Sequence, residues 1–196
     1  MTLKSTLSTG VRLAAVAAMG LTLFGCAALK MPEPTASAEN LSTLKAANLA
    51  PAKTGTFVLA PGKPADMDKS LGGLRAASLE PSNGSFSQML KQELAVDLKS
   101  AGLYDESSHI VIAGQLTDSQ VDAAIGTSSG RLAAHFTVTR DDKSAYDKEV
   151  AVDDKWDGAF IGAIAITDAV NHYTALYKAL AGKLFADPDF QRALAK

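Results

Sequence analysis

The sequence predicts an α/β fold: a two-layer sandwich of order β-α-β-β-β-α, with a four-stranded mixed sheet carrying two helices on one face. Three observations predict it. Two long stretches repeat apolar residues every three or four positions, as helices with one buried face do. Three further runs alternate apolar and polar residues, the period of half-buried strands. The first helix lies between the first two strands, and a parallel first pair needs such a crossover.

The elements follow in order. Residues 56–60 (TFVLA) form a short β-prone run stopped by Pro61 and Gly62. Residues 63–84 read as a long connection containing Gly, Pro and Ser, with room for one helical turn at 71–79. A connection of that length is uncommon unless it is functional or partly ordered. Ser85 and Gln88 then have the spacing of a capping box, in which the Ser85 hydroxyl accepts from a free helix amide. Phe86, Leu90, Leu94 and Leu98 recur at intervals of four, with Met89 beside them, and Gly102 supplies a left-handed stop.

Residues 109–116 (HIVIAGQL) alternate with Ile110, Ile112, Gly114 and Leu116 on one face. In 131–140 (RLAAHFTVTR), Leu132, Ala134, Phe136 and Val138 point inward, and Arg131, His135, Thr137 and Thr139 outward. Asp141 and Asp142 are turn residues, and 144–153 returns with Tyr146, Val150 and Val152 on one side, completing a hairpin. The polar residues 119–129 between the first two of these strands read as a mobile loop. In the last helix, Ile166, Val170, Tyr173, Tyr177, Leu180 and Leu184 trace a stripe that Leu176 widens, and Asp187 with Pro188 ends it.

Ahead of this body, residues 1–25 have the order of an export signal. Lys4 and Arg12 precede 13–24 (LAAVAAMGLTLF), a run apolar or small apart from Thr22. About twelve such residues suit a signal-peptide core and fall short of the roughly 20 that span a bilayer. Leu23-Phe24-Gly25-Cys26 resembles the bacterial lipobox. The resemblance implies cleavage behind Gly25, thioether lipidation of Cys26, the only cysteine, and acylation of the new amino terminus. Several acyl chains are needed for durable anchoring, since one binds only marginally. A plain signal peptide that leaves Cys26 a free thiol is the alternative reading. By resemblance to the sorting rule of enteric bacteria, Ala27 in place of aspartate favours the outer membrane on its periplasmic face.

The expected domains are thus a signal peptide over 1–25, lipidated Cys26 with a flexible tether over 26–54, and a single α/β domain over 55–196. The tether residues are rich in Ala, Pro, Ser, Thr and Lys, too poor in large apolar groups to offset their ordering entropy. As a coil they would span roughly 30 Å, and about 90 Å fully extended. A short helix over 36–47 is compatible with this.

Cleavage removes two basic residues and no acidic one, leaving 17 basic and 21 acidic side chains, a formal charge of −4. That balance lacks the basic footprint of a nucleic-acid binder, so nucleic acid is excluded as a partner. His109, His135 and His172 are scattered, and Asp168 with His172 reads as a helix-surface pair in preference to half a metal site. No metal or other cofactor is expected. Asn83-Gly84-Ser85 and Ser128-Ser129-Gly130 do not match the G-x-S-x-G nucleophile turn. Asp141/Asp142 and Asp153/Asp154 are adjacent pairs, which face opposite ways on a strand. A non-enzymatic protein is expected. Trp156 and Phe160 are the candidate partner-binding residues, Trp156 reading alternatively, and preferentially, as cover for the sheet edge.

Gly158, Ala159 and Phe160, then Asp168, Ala169, Val170 and Asn171, then Asp187 with Phe190, are similar in content and spacing to the C-terminal region of YajG-type envelope lipoproteins. The resemblance covers about the last 40 residues and brings no established activity. More distantly, the layout resembles auxiliary lipoproteins of envelope transport systems and the lipoprotein of lipopolysaccharide assembly. Together these imply a membrane-anchored accessory or interaction module with an envelope protein partner. The alternative is a small-molecule or lipid carrier, with the cleft entrance at 158–165 and the 63–84 connection as a lid.

Overall fold

The structure, a computed structural model, describes residues 27–196. The expected signal peptide, cleavage at Gly25 and lipidation of Cys26 lie outside the described residues. In chain order the elements are β1 (Ala27–Lys30), α1 (Ala38–Ala46), β2 (Lys53–Leu59), a 3-10 turn (Ala65–Asp68), β3 (Leu71–Leu74), β4 (Ala77–Glu80), α2 (Phe86–Ala101), β5 (Ile110–Asp122), β6 (Gly126–Arg140), β7 (Lys143–Gly158), α3 (Gly162–Ala186) and α4 (Pro188–Ala193).

The expected α/β sandwich is present. Its main sheet has the order β2-β5-β6-β7, with β2 parallel to β5 and the other pairs antiparallel. Leu116, Leu132, Phe136 and Val138 from this sheet meet Phe86, Leu90, Leu94 and Leu98 of α2 and Tyr173, Tyr177 and Leu180 of α3 in one buried core. Phe86 and Tyr173 pack edge to face, as do Phe57 and Phe136. Inside it runs a hydrogen-bonded chain: Ser119 Oγ lies 2.6 Å from the Tyr173 hydroxyl, which adjoins that of Tyr177, and Tyr177 donates to the Phe86 carbonyl. Such pairing offsets the cost of placing three hydroxyls in the core.

The local chemistry of α2 is as expected. Ser85 accepts from the Gln88 amide, and Gly102 closes the helix at φ 74°. Asp141 and Asp142 both adopt positive φ between the paired Arg140 and Lys143, the backbone of a two-residue hairpin turn.

Three expectations are corrected. First, 63–84 is not an open connection with a helical turn at 71–79. It builds β3 and β4, and with β1 these form a second sheet of order β1-β4-β3. Leu71, Leu74 and Leu79 turn inward, and Gly73 lies so close to the Val121 carbonyl that no side chain fits there. Second, 119–129 is not a mobile loop, because β5 continues to Asp122 and β6 begins at Gly126. Ser119 and Ser128 are buried and hydrogen-bonded. Third, 27–54 is not a flexible tether. β1 pairs in parallel with β4, and Met31, Leu44, Leu49 and Ala52 enter the core.

The third correction has a polar cause. Asp97 on α2 is fully buried, and it accepts from the Ser37 amide at 2.9 Å and from Asn40 Nδ2 at 2.7 Å. Asn40 Nδ2 also reaches the Lys178 carbonyl of α3. Gly182 makes room, since a Cβ there would lie 2.5 Å from Asn40 Oδ1. α1 is thereby latched to α2 and α3 by groups whose other choice is an unsatisfied buried charge. Asn40→Ala should cost about 2–4 kcal/mol of stability, read from urea unfolding, and should accelerate amide exchange in Ala38–Ala46. A flexible tether would show neither change.

Candidate interaction surface

One corner of the molecule gathers chain segments far apart in sequence. The β3–β4 hairpin turns through Arg75, which takes φ 58°. Its side chain donates from Nε to the Ala123 carbonyl at 2.9 Å, from Nη1 to that of Phe160 at 3.0 Å, and from Nη2 to that of Ala159 at 2.5 Å. One guanidinium therefore joins the β3–β4 turn, the β5–β6 turn and the junction between β7 and α3. Gly158 completes the corner. A Cβ there would collide with the Ala124 carbonyl and come within 2.8 Å of Ser128 Oγ. Ser128 Oγ itself donates to Ala124 O, closing the β5–β6 tip.

This frame carries the most exposed large apolar side chains among the described residues. Phe160 is 82% exposed, Ile125 64%, Ile161 60% and Ile164 49%. Phe160 through Ile164 enter the first turn of α3, which has no acidic residue and no side-chain cap at Ile161. Its inward positions are the small residues Ala165 and Ala169. Ile166 and Val170, expected on the buried stripe, are only half-buried, whereas Tyr173, Leu176, Tyr177, Leu180 and Leu184 are buried as expected.

The two residues singled out from sequence part company. Trp156 is half-buried on β7, and its ring stacks on His172 of α3 at a centroid distance of 4.2 Å and an interplanar angle of 2°. Its Nε1 is buried without a hydrogen-bond partner. Phe160 stands in solvent. Ile125, Ile161, Ile164 and Arg75 were not singled out. The available signal was 159–167 (AFIGAIAIT), nine residues without a charge at the head of an otherwise amphipathic helix.

The remaining polar candidates are engaged locally. His172 Nδ1 pairs with Asp154 at 2.7 Å, not with Asp168, and His135 pairs with Asp147. Arg131 binds Asp118 and both oxygens of Asp153 across the outer sheet face. No group of three His, Cys, Asp or Glu side chains placed to hold a metal occurs among the described residues. No helix among them is long and apolar enough to cross a membrane. A groove of about 410 Å³ runs between β7 and α3, lined by Ala151, Val152, Asp154, Leu176 and Ala179 among others. The lid expected over 63–84 is folded into β3 and β4 and fastened by Arg75.

Beneath α1, Glu93 is 2% exposed and one carboxylate oxygen has no hydrogen-bond partner. Burial pushes its pKa from 4.5 up to about 7, the neighbouring Asp97 adds to the rise, and Lys178 opposes it.

No protein-family model and no curated protein matches the chain. Among solved structures, the chain is similar to protein XCC0632 from Xanthomonas campestris, of the DUF330 family. The identity is 10%, the match covers 81% of this chain and 94% of that one, and the TM-score is 0.51. The two share a fold. A protein from Caulobacter crescentus described as a candidate lipoprotein aligns at 10% identity over 80% of this chain and 96% of that one, with a TM-score of 0.44. Lipoprotein GNA1162 from Neisseria meningitidis aligns at 9% identity over 64% and 99%, with a TM-score of 0.29. These last two superpose too loosely to bear on the fold.

Two predictions test this geometry. Arg75→Lys should lose nearly as much stability as Arg75→Ala, about 1–2 kcal/mol, because the fork of donors matters more than the charge; thermal unfolding of both variants checks it. The Glu93 carboxyl binds its proton more tightly folded than unfolded, so its contribution is complete below pH 4.5 and is lost as pH rises to about 7. Stability measured by denaturant should fall across that window, and Glu93→Gln should flatten the fall.

Proposed function

We propose that this chain is a bacterial envelope lipoprotein of the YajG type, cleaved behind Gly25 and lipidated on Cys26. In this reading it is held at the periplasmic face of the outer membrane, as a non-enzymatic accessory module that binds another envelope component. The observation that carries the reading is the junction at residue 26. Leu23-Phe24-Gly25-Cys26 is lipobox-like, and Ala27, the residue after the thiol, already belongs to the hydrogen-bonded body as part of β1. A lipid on that sulfur would hold the folded domain directly against the bilayer, without the 30–90 Å reach of a tether. A partner must then meet it at the membrane, where confinement raises the effective concentration of both.

A binding role is supported over a reaction by what the candidate polar groups do. Asp141 and Asp142 form a hairpin turn, Asp153 binds Arg131, and Asp154 binds His172. The C-terminal pattern around Gly158 and Asp168 supports the YajG-type assignment. The carrier alternative has lost its lid.

Labelled palmitate fed to the native bacterium should enter the wild-type protein and not Cys26→Ser. Wild-type protein should fractionate with the outer membrane and crosslink reproducibly to one envelope protein, and the variant should appear in the soluble periplasm. An unlabelled, freely diffusing wild-type protein would overturn the proposal.

A further inference from the structure

We propose that the apolar corner formed by Ile125, Phe160, Ile161 and Ile164 is a membrane-docking surface that enters the lipid interface beside the anchor; this rests on the reading of Cys26 as the lipidated residue. The argument is one of placement. β1 runs parallel to β4, with Ala27 paired to Ala77, so the start of β1 lies at the β3–β4 turn. That turn holds Arg75, whose guanidinium grips the carbonyls of Ala123, Ala159 and Phe160. Paired strands are about 4.8 Å apart and an extended chain advances about 3.4 Å per residue, which brings Ala27 within roughly 20 Å of the Phe160 backbone through this path. Covalent geometry keeps the Cys26 Cα about 3.8 Å from that of Ala27. An acylated sulfur and the exposed apolar corner therefore share one end of the molecule.

Chemistry selects lipid as the occupant. A folded body attached by one residue cannot withdraw from the bilayer, and the side chains at that end meet it at every contact. Residues 159–167 carry no charge that would have to leave water, and the first turn of α3 carries no carboxylate to repel an anionic headgroup layer. Exposed Asp122 and Asp157 flank the corner and limit entry to the interfacial zone, about 5–10 Å deep for amphipathic elements. The Arg75 grip fixes the backbone under Phe160, so docking orders few additional groups. The body would stand on the membrane in one orientation, with the β7–α3 groove presented at a set angle to whatever approaches.

The test uses the chain from Cys26 onward, which contains every residue of the core described above. Its single thiol is coupled to a maleimide-bearing phosphatidylethanolamine in vesicles of phosphatidylethanolamine and phosphatidylglycerol, so anchoring does not depend on whether the bacterium acylates it. Phe160→Trp should be quenched by acyl-brominated lipid, while Trp156 of the parent chain, stacked on His172, is quenched less. Amide exchange over 123–126 and 159–166 should slow about tenfold on coupling, and not in Phe160→Ser/Ile161→Ser/Ile164→Ser, whose altered side chains lie outside the core. A coupled chain with no quenching and unchanged exchange overturns the docking surface and leaves the lipoprotein reading intact. Protection that appears without vesicles and rises with protein concentration assigns the corner to a second copy, and also overturns it. Quenching by vesicles together with no palmitate in cells shows that the corner can enter lipid, but it removes the anchor and so overturns both the lipoprotein reading and the docking proposed on it.

Discussion

The arrangement of this protein depends on one side chain satisfying three carbonyls that no strand or helix can reach. Ala123 stands at the tip of a hairpin, and Ala159 and Phe160 lie in the three-residue gap between the longest strand and the longest helix. The planar fork of Arg75 meets all three at once, a geometry that an ammonium cannot reproduce. The positive φ at Arg75 is compensated by this bonding. Gly73 and Gly158 serve the same corner from both sides, since each leaves space that a carbonyl of the β5–β6 end occupies. Small sheet, main sheet and last helix are thus tied at one point, and the exposed apolar residues rise from a rigid base.

A second polar feature governs the other side of the body. Asp97 and Asn40 bring the weakly apolar α1 into the groove beside α2 and α3, with Leu44 as its main buried side chain. Buried ionisable groups are weak sources of stability and better sources of specificity. Here they select one docking position for a helix whose apolar face is too small to choose alone. The same cluster holds Glu93 with an unpaired oxygen, so the latch carries an electrostatic load that grows as that carboxyl ionises.

The parts that were legible in sequence are those whose signal is local. The Ser85 cap, the four-residue spacing from Phe86 to Leu98 and the stop at Gly102 mark α2 by local signal, although Asp68 also accepts from the Ser87 amide at its start. The alternation from Leu132 to Val138 marks the centre of β6. The small sheet was not legible because its strands are four residues each, rich in Ala and Gly, and pair 27–30 with 77–80 across fifty positions. Ser119 and Ser128 read as loop residues because a serine reveals nothing about a partner such as Tyr173 until the chain is folded. The candidate site was half legible. Phe160 was marked, whereas Trp156 found a stacking partner in His172, and Ile125 joined the corner only through the hairpin geometry.

By itself, the sequence determined the period of each long element, the turn at Asp141 and Asp142, the order of the main sheet's strands and helices, and the chemical potential of a lone cysteine at the end of an apolar run. These follow from spacing and covalent identity, which need no neighbours. Tertiary structure alone decided that the residues after that cysteine are part of the body, that the 63–84 segment supplies two strands, and that the β5–β6 tip carrying Ile125 meets the β7–α3 junction carrying Phe160. Those outcomes depend on hydrogen-bonding groups supplied from distant positions, and a carbonyl without a local partner is resolved only when the folded chain delivers one.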